Sequence, residues 1–267
     1  MEPMTDATLS EINIYPLKSA GGISLTKAKV DRWGLAFDRR WLIVDEAGTF
    51  LTQRQFPRMA LISPQLTDEA LILEAQGMEG LELPLVVTEP PTRIVQVWDD
   101  TSRAVPLGPE ADDWVSTFLE TPCSLVKFSE DAPRTVDPTY AHPDDEVGFA
   151  DGFPFLLIAE ASLEDLNTRL DAPLQMNRFR PNLVVRGVAP YAEDTWQEIR
   201  LGKLGFRVVK PCARCSITTV EQTTGTLGKE PLRTLATYRR IEGKVMFGQN
   251  LIHDGEGVLE VGDVLVL

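Results

Sequence analysis

The segment Pro211-Cys212-Ala213-Arg214-Cys215 holds two of the chain's three cysteines at Cys-x-x-Cys spacing. That spacing serves zinc, iron–sulfur clusters or dithiol redox chemistry. Structural zinc takes four ligands, normally with a second pair, and only Cys123, His142 and His253 remain, scattered along the chain. A cluster held by four thiolates exceeds what three cysteines in one chain provide. A thioredoxin-like pair sits at a helix N-terminus, whereas Ile217-Thr218-Thr219-Val220 is β-branched and predicts a continuing strand. Two readings stay open. The pair is two buried small hydrophobes, or Arg214 and Lys210 hold a thiolate at Cys215 beside an anion-binding surface. The second would suit a bound cofactor that brings both an anion and a soft metal.

Cations cluster where such an anion would need them. Arg178, Arg180, Lys203, Arg207, Lys210 and Arg214 occupy two short segments, although balance with nearby acids on a wet surface accounts for each one singly. Arg178-Phe179-Arg180, read as extended, places both guanidiniums on one face and Phe179 on the other. Asp151-Gly152-Phe153-Pro154 precedes an apolar strand, and its glycine would admit a ligand close to the backbone or simply make a turn. Tyr15-Pro16-Leu17-Lys18-Ser19 and Phe37-Asp38-Arg39-Arg40-Trp41 add further cations. His253 reads as a structural histidine. No GxSxG, phosphate-loop or GxGxxG pattern occurs. The acidic stretches Asp99-Asp100, Asp112-Asp113 and Asp144-Asp145-Glu146 read as solvated faces, with a hydrolase pair as the other reading.

The elements that must position these residues are mostly strands. Residues 12–15, 23–30 and Trp41–Val44 are candidates, the last turning at Asp45-Glu46-Ala47-Gly48 toward Phe50. A hairpin joins 61–66 to 70–73, and strands follow at 81–87 and 93–98. Short strands broken every eight to twelve residues predict a sandwich or barrel. Helices are expected at 112–119, after the capping-box variant at Ser162, and after Pro231 at a first helical position. Residues 130–146 read as a loop. After Lys203 the chain returns to strands, ending in 259–267.

The chain of 267 residues carries 26 basic and 40 acidic side chains, a net charge of −14. That balance argues against unspecific binding to nucleic acid or to an anionic membrane. No apolar run is long enough to span a bilayer. The start MEPMTDATLS lacks the pattern of a signal peptide. A cytoplasmic location is expected. The expected class is mainly β with a few helices (α+β), divided into residues 1–125, a β-barrel-like domain, and residues 126–267.

Together the pieces resemble the MOSC family in its form with an N-terminal MOSC β-barrel domain followed by a C-terminal MOSC β-barrel domain. The matching stretches are YPLKSAGG, GLAFDRRWLIVD, LTQRQFPRMALI, ADGFPFLLIAEASLEDLN, NRFRPNLVV, YAEDTW, PCARCSITTV and TGTLGKEPLRTL, in order along nearly the whole chain. The resemblance implies a molybdenum cofactor whose metal is held by one thiolate, matched here by Cys215. Its phosphate and pterin would be held at Lys18, Ser19, Arg39, Arg180 and Asn182, with Arg214 and the turn of Asp151, Gly152 and Phe153 alongside. Some relatives carry hydroxyls after Asp151; with Gly152 and Phe153 here, any phosphate contact would come from backbone N–H groups. The implied activity is reduction of N-hydroxylated or N-oxide-type compounds. A carrier of molybdenum cofactor or sulfur is the alternative. Pyridoxal phosphate binding also comes with the resemblance. With the chain stopping at Leu267, electrons are expected from a separate ferredoxin-, flavodoxin- or cytochrome-type donor with its reductase.

Overall fold

Trp41–Val44 is apolar at every position because the strand is buried on both sides. Trp41 and Ile43 enter one core with Leu71, Leu83, Trp114 and Phe118. Leu42 and Val44 enter a second with Val97, Val126, Phe128 and Phe149. Successive side chains on a strand point to opposite faces, so one short strand closes two cores. The same alternation recurs in Phe155–Ala159, where Phe155, Leu157 and Ala159 face one cluster and Leu156 and Ile158 another. Each fully buried Leu or Phe contributes roughly 1.5–3 kcal/mol.

This computed structural model describes residues 7–87, 91–131 and 134–267. Residues 1–6, the first part of the start without a signal-peptide pattern, lie outside the described residues. Trp41–Val44 belongs to a four-stranded sheet with Ser124–Phe128, Asp100–Pro106 and Arg93–Val97. Beside it Ser63–Leu66, Ala70–Glu74 and Leu81–Pro84 form an antiparallel meander. The helix Pro109–Leu119 packs Trp114 and Phe118 into the shared core. Its start is set by Gly108 and by Pro109, whose missing N–H costs nothing in the first turn.

The largest sheet runs Ile23–Leu25, Thr8–Ile14, Leu183–Arg186, Phe155–Ala159, Lys244–His253, Leu204–Ala213, Glu198–Leu201, Leu265–Val266. Phe155–Ala159 and Leu183–Arg186 are parallel, linked through the helix Glu160–Asn167. Lys27–Asp31 pairs with Gly257–Glu260. The fold is thus mainly β with a few helices, as expected. Strands near residues 8–31 pair with strands beyond 180, and position 125 lies inside Ser124–Phe128. We propose 1–125 and 126–267 as sequence units only, since hydrogen bonding crosses that line.

Several elements differ from expectation. The run 23–30 breaks into two strands, and 57–61 forms a 3-10 turn opened by Pro57 instead of extending the next strand. The helix expected after Ser162 starts at Glu160. Ser162 does not cap it; its hydroxyl donates to the buried Glu193 carboxylate. Pro231 precedes a helix of one turn, Leu232–Leu235. The loop 130–146 contains one small ladder, Arg134–Thr135 with Glu146–Val147. The terminal run splits at a turn between Gly257–Glu260 and Leu265–Val266.

Candidate functional site

Lys18 and Ser19 sit where Pro16 ends the first strand's ladder and a turn follows. Lys18 N donates to Trp41 O at 2.9 Å, and Arg39 N donates to Tyr15 O at 3.0 Å. Those two bonds bring the two cation-bearing turns side by side. Asn182, buried at the start of Leu183–Arg186, ties them to the large sheet. Its Oδ1 accepts from Arg39 Nη1 at 3.0 Å and from Leu156 N at 3.2 Å, and its Nδ2 donates to Asn13 O. Arg39 Nη1 also donates to Asp38 Oδ2 at 2.6 Å. Its guanidinium lies 4.4 Å from the centre of the Tyr15 ring, and that of Arg180 lies 4.2 Å from it.

Ser19, Arg39 and Arg180 have φ of +69°, +47° and +57°. Left-handed backbone is uncommon for residues with a Cβ, and costs of this kind collect at functional sites. Arg180 precedes Pro181, which crowds its backbone further. The segment 178–180 is therefore not extended, contrary to expectation. Phe179 is fully buried against Phe247, with ring centres 4.4 Å apart. Pulling that ring inside makes the chain turn, through Met176–Arg178, and the two arginines diverge. Arg178 goes to Thr218 O and Glu221. Arg180 Nη1 donates to Ala20 O at 2.6 Å.

Arg180 is the electrostatic centre of the site. It is buried and has no carboxylate ion-pair partner among the described residues. Burial lowers its pKa to about 10, with Tyr15 opposing. Burial also pushes the Tyr15 hydroxyl up to about 12 against the pull of Arg180 and Arg39. A buried cation without a partner is costly, and an anion placed beside it would remove that cost.

The Lys18 ammonium is buried, donating to Phe149 O at 2.7 Å and Asp151 Oδ1 at 2.5 Å. Burial lowers its pKa and Asp151 opposes the shift. The Asp151 side chain is 60% exposed. What burial it has would raise its pKa, but Lys18, Arg54 and the Trp98 N–H outweigh that and hold it well below the usual carboxylate range. The turn is seated on Gly34, where an added Cβ would stand 3.1 Å from both Cβ and O of Pro154. At Gly152 an added Cβ would meet nothing, so the backbone there borders open space.

Cys215 follows the bulged end of Leu204–Ala213 and leads into the 3-10 turn Ser216–Thr219. The expected continuing strand is absent because Thr218 Oγ1 donates to Cys215 O at 2.9 Å and Thr219 Oγ1 to Ser216 O at 2.7 Å. Such local hydroxyl bonds compete with a ladder. The cation assignment also changes. Arg214 Nη1 lies 3.0 Å from Cys212 Sγ, while the guanidinium at Cys215 Sγ is Arg54, at 3.3 Å. Arg214 Nε is buried with no hydrogen-bond partner among the described residues. Lys210 stacks on Tyr140, and Arg207 is paired with Asp145 and Asp254. Of these two cations, Arg207 is thereby neutralised while Lys210 keeps its charge.

One cleft of about 810 Å³, open mouth included, is lined by Lys18, Ser19, Arg39, Asp151, Gly152, Phe153, Arg180, Asn182, Arg214 and Cys215 together. Cys212 also lines it; Cys123 is buried elsewhere against Ser116. His253 Nε2 lies 2.8 Å from Asp31 O in a buried position, away from the cleft. His142 is exposed. Among the described residues no three His, Cys, Asp or Glu side chains are arranged to hold a metal on protein ligands alone. Sequence reasoning missed Arg54, Trp98 and Gln53, whose Nε2 donates to Ser19 O at 2.7 Å. The stretch LTQRQFPRMALI carried the signal for two of them without giving a role.

The MOSC N-terminal beta barrel domain matches residues 6–122, and the MOSC domain matches residues 144–266. The mitochondrial amidoxime-reducing component 1 of Mus musculus is 38% identical, over 97% of this chain and 82% of that protein. The chain belongs to the amidoxime-reducing component family. The Homo sapiens component 1 is 34% identical over the same shares of each chain. The molybdenum cofactor sulfurase of Homo sapiens is 31% identical over 92% of this chain, which spans 30% of that longer protein. Among the described residues, no helix of this family member is long and apolar enough to cross a membrane.

The depressed Asp151 carboxyl fixes a sign for the pH dependence. A carboxylate whose pKa is lowered by folding adds stability above its unfolded value, about 3.9, and that contribution is lost as pH falls toward the folded value. The melting-temperature gap between the wild type and Asp151→Asn should therefore be widest above pH ~4 and narrow as pH falls below it. A gap that widens on acidification would contradict the Lys18–Asp151 pairing.

Proposed function

We propose that this family member is a molybdenum-cofactor-dependent oxidoreductase that reduces N-hydroxylated or N-oxide-type compounds, with Cys215 as the protein ligand to the metal. What carries the reading is that a buried, acid-free Arg180 and a half-buried Cys215 sulfur share one cleft. The donor set fits the cofactor. A single sulfur leaves most coordination positions to be filled by the group itself, and Arg180 with the unsatisfied Arg214 Nε suits an anionic terminus. When bound, the cofactor supplies a metal that can take an oxygen atom from nitrogen in a two-electron reduction.

The protein's own residues bind and orient. Arg180, Arg39 and Asn182 would hold phosphate and pterin, with Lys18, Ser19 and Arg214 alongside. Asp151, Gly152 and Phe153 line the same cleft, and their backbone N–H groups would supply any phosphate contact there. Pyridoxal phosphate is less well served. It needs a lysine amine free for an aldehyde, and Lys18, the lysine of this cleft, is engaged by Phe149 O and Asp151.

Electrons would come from a separate ferredoxin-, flavodoxin- or cytochrome-type donor with its reductase, since the chain carries no dinucleotide fingerprint. With a net charge of −14 a basic donor would be steered in, at salt-sensitive rates. A small N-oxygenated substrate is the other proposed partner, without nucleic acid or membrane. We place the chain in the cytoplasm, although its relatives are named mitochondrial.

Cofactor-loaded protein should turn over a benzamidoxime-type substrate with reduced viologen dye and not with NADH alone. Turnover with NADH alone would reveal an electron path within the chain. A loaded protein inert even with the dye would support the alternative of a molybdenum cofactor or sulfur carrier, toward which the similarity to the cofactor sulfurase points.

A further inference from the structure

Arg54 and Cys215 are 161 positions apart in the chain, and Arg54 Nη2 reaches Cys215 Sγ at 3.3 Å. The guanidinium lies over Trp98, its central carbon 4.5 Å from the ring centre. Trp98 is itself fixed. Its Nε1 donates to Asp151 Oδ1 at 3.1 Å, the oxygen that also takes Lys18 Nζ. Phe50 meets its ring edge-on at 5.1 Å. Trp98 holds a left-handed φ of +57° while remaining 43% exposed. Arg54 has no carboxylate ion-pair partner among the described residues. A half-buried cation is thus braced by an indole and aimed at a sulfur, where a solvated arginine would have many other orientations.

We propose that Arg54 is a positioning residue for the Cys215 sulfur, held against it by the Trp98–Asp151 brace. This rests on the reading of Cys215 as the metal-holding thiolate. A donor to a ligating sulfur fixes its lone-pair direction and draws charge from the metal. Arginine suits this place because its planar group stacks and donates at once, which a lysine ammonium cannot do.

The test compares two alkylating reagents on the cofactor-free full chain in a Cys212→Ser background, with labelling at Cys215 read by peptide mass. Iodoacetate is anionic and iodoacetamide neutral; the Cys215 thiolate attacks the CH2 carbon of each and expels iodide, so the ratio of their rates reports the local charge. Arg54→Gln should lower the iodoacetate-to-iodoacetamide ratio by about five-fold, the size of one unit-charge interaction across water at this range. Trp98→Leu should lower it too, although the charge is kept, because the brace is gone. Arg54→Lys should fall between parent and Arg54→Gln. A ratio unmoved by Arg54→Gln, or unmoved by Trp98→Leu, overturns the proposal. In loaded protein Arg54→Gln should also shift the molybdenum EPR spectrum at equal metal content, and an unshifted spectrum would count against it. The labelling ratio does not depend on metal. Should Cys215→Ser keep its molybdenum, the assignment of the ligand fails while the ratio still reports whether Arg54 sits on the sulfur.

Discussion

Cys215→Ser protein should purify with molybdenum near background and show no measurable reduction of an amidoxime, whereas Cys212→Ser keeps most of both. The two sulfurs line the same cleft and are three positions apart, yet they are placed differently. Cys212 lies near the end of Leu204–Ala213, packs beside the cluster of Phe179 and Phe247, and has Arg214 at 3.0 Å. Cys215 stands beyond the strand at the head of a turn, with Arg54 aimed at its sulfur. Serine keeps the volume and removes the soft donor, and a hydroxyl is a poor substitute for a thiolate toward a metal that prefers sulfur. The measurement is elemental analysis with pterin fluorescence on protein made in a host that produces the cofactor. Equal losses from both substitutions, with zinc recovered from the wild type, would move the ligand assignment to the pair.

Much of this site was legible because its residues sit in short, distinctive stretches. Lys18 and Ser19 follow a proline that ends a strand, Arg39 lies in a turn with four polar or aromatic neighbours, and Asn182 opens an apolar strand. What the sequence did not reveal was direction. Whether Arg178 and Arg180 share a face depends on where Phe179 is buried, a tertiary preference that overrides the local extended reading. Ile217-Thr218-Thr219-Val220 read as a strand because β-branched residues favour one, and the threonine hydroxyls instead closed a 3-10 turn. Arg54 was missed for a similar reason. It reaches Cys215 through space, and only the folded arrangement of turns with the four-stranded sheet brings Trp98 under it. The fold class was legible from strand spacing and turns. The long-range pairing of Thr8–Ile14 with Leu183–Arg186 was not, because nothing local in either strand specifies its partner.

Arg180→Ala protein should copurify with clearly less pterin than the wild type at an unchanged fold, and Arg39→Ala should do so as well. A charge-assisted contact to phosphate contributes roughly 1.5–3 kcal/mol, so affinity should fall about ten- to hundred-fold on losing one guanidinium. The larger loss is expected at Arg180. Arg39 already has Asp38 at 2.6 Å, which offsets much of its charge, while among the described residues the Arg180 guanidinium meets the Ala20 carbonyl and the Tyr15 ring and no ion-pairing carboxylate. Burial has lowered Arg180 only to about 10, so it is still a full cation at neutral pH and meets an incoming phosphate with little water to displace. The same imbalance makes the cofactor-free fold tolerant of the change, because alanine removes a buried charge along with its short hydrogen bond to Ala20 O. The melting temperature of cofactor-free Arg180→Ala should therefore lie close to that of the cofactor-free wild type. In loaded protein the wild type should be stabilised over the variant by the binding free energy they no longer share. Full pterin content in both Arg180→Ala and Arg39→Ala would refute the placement of the anion at these residues.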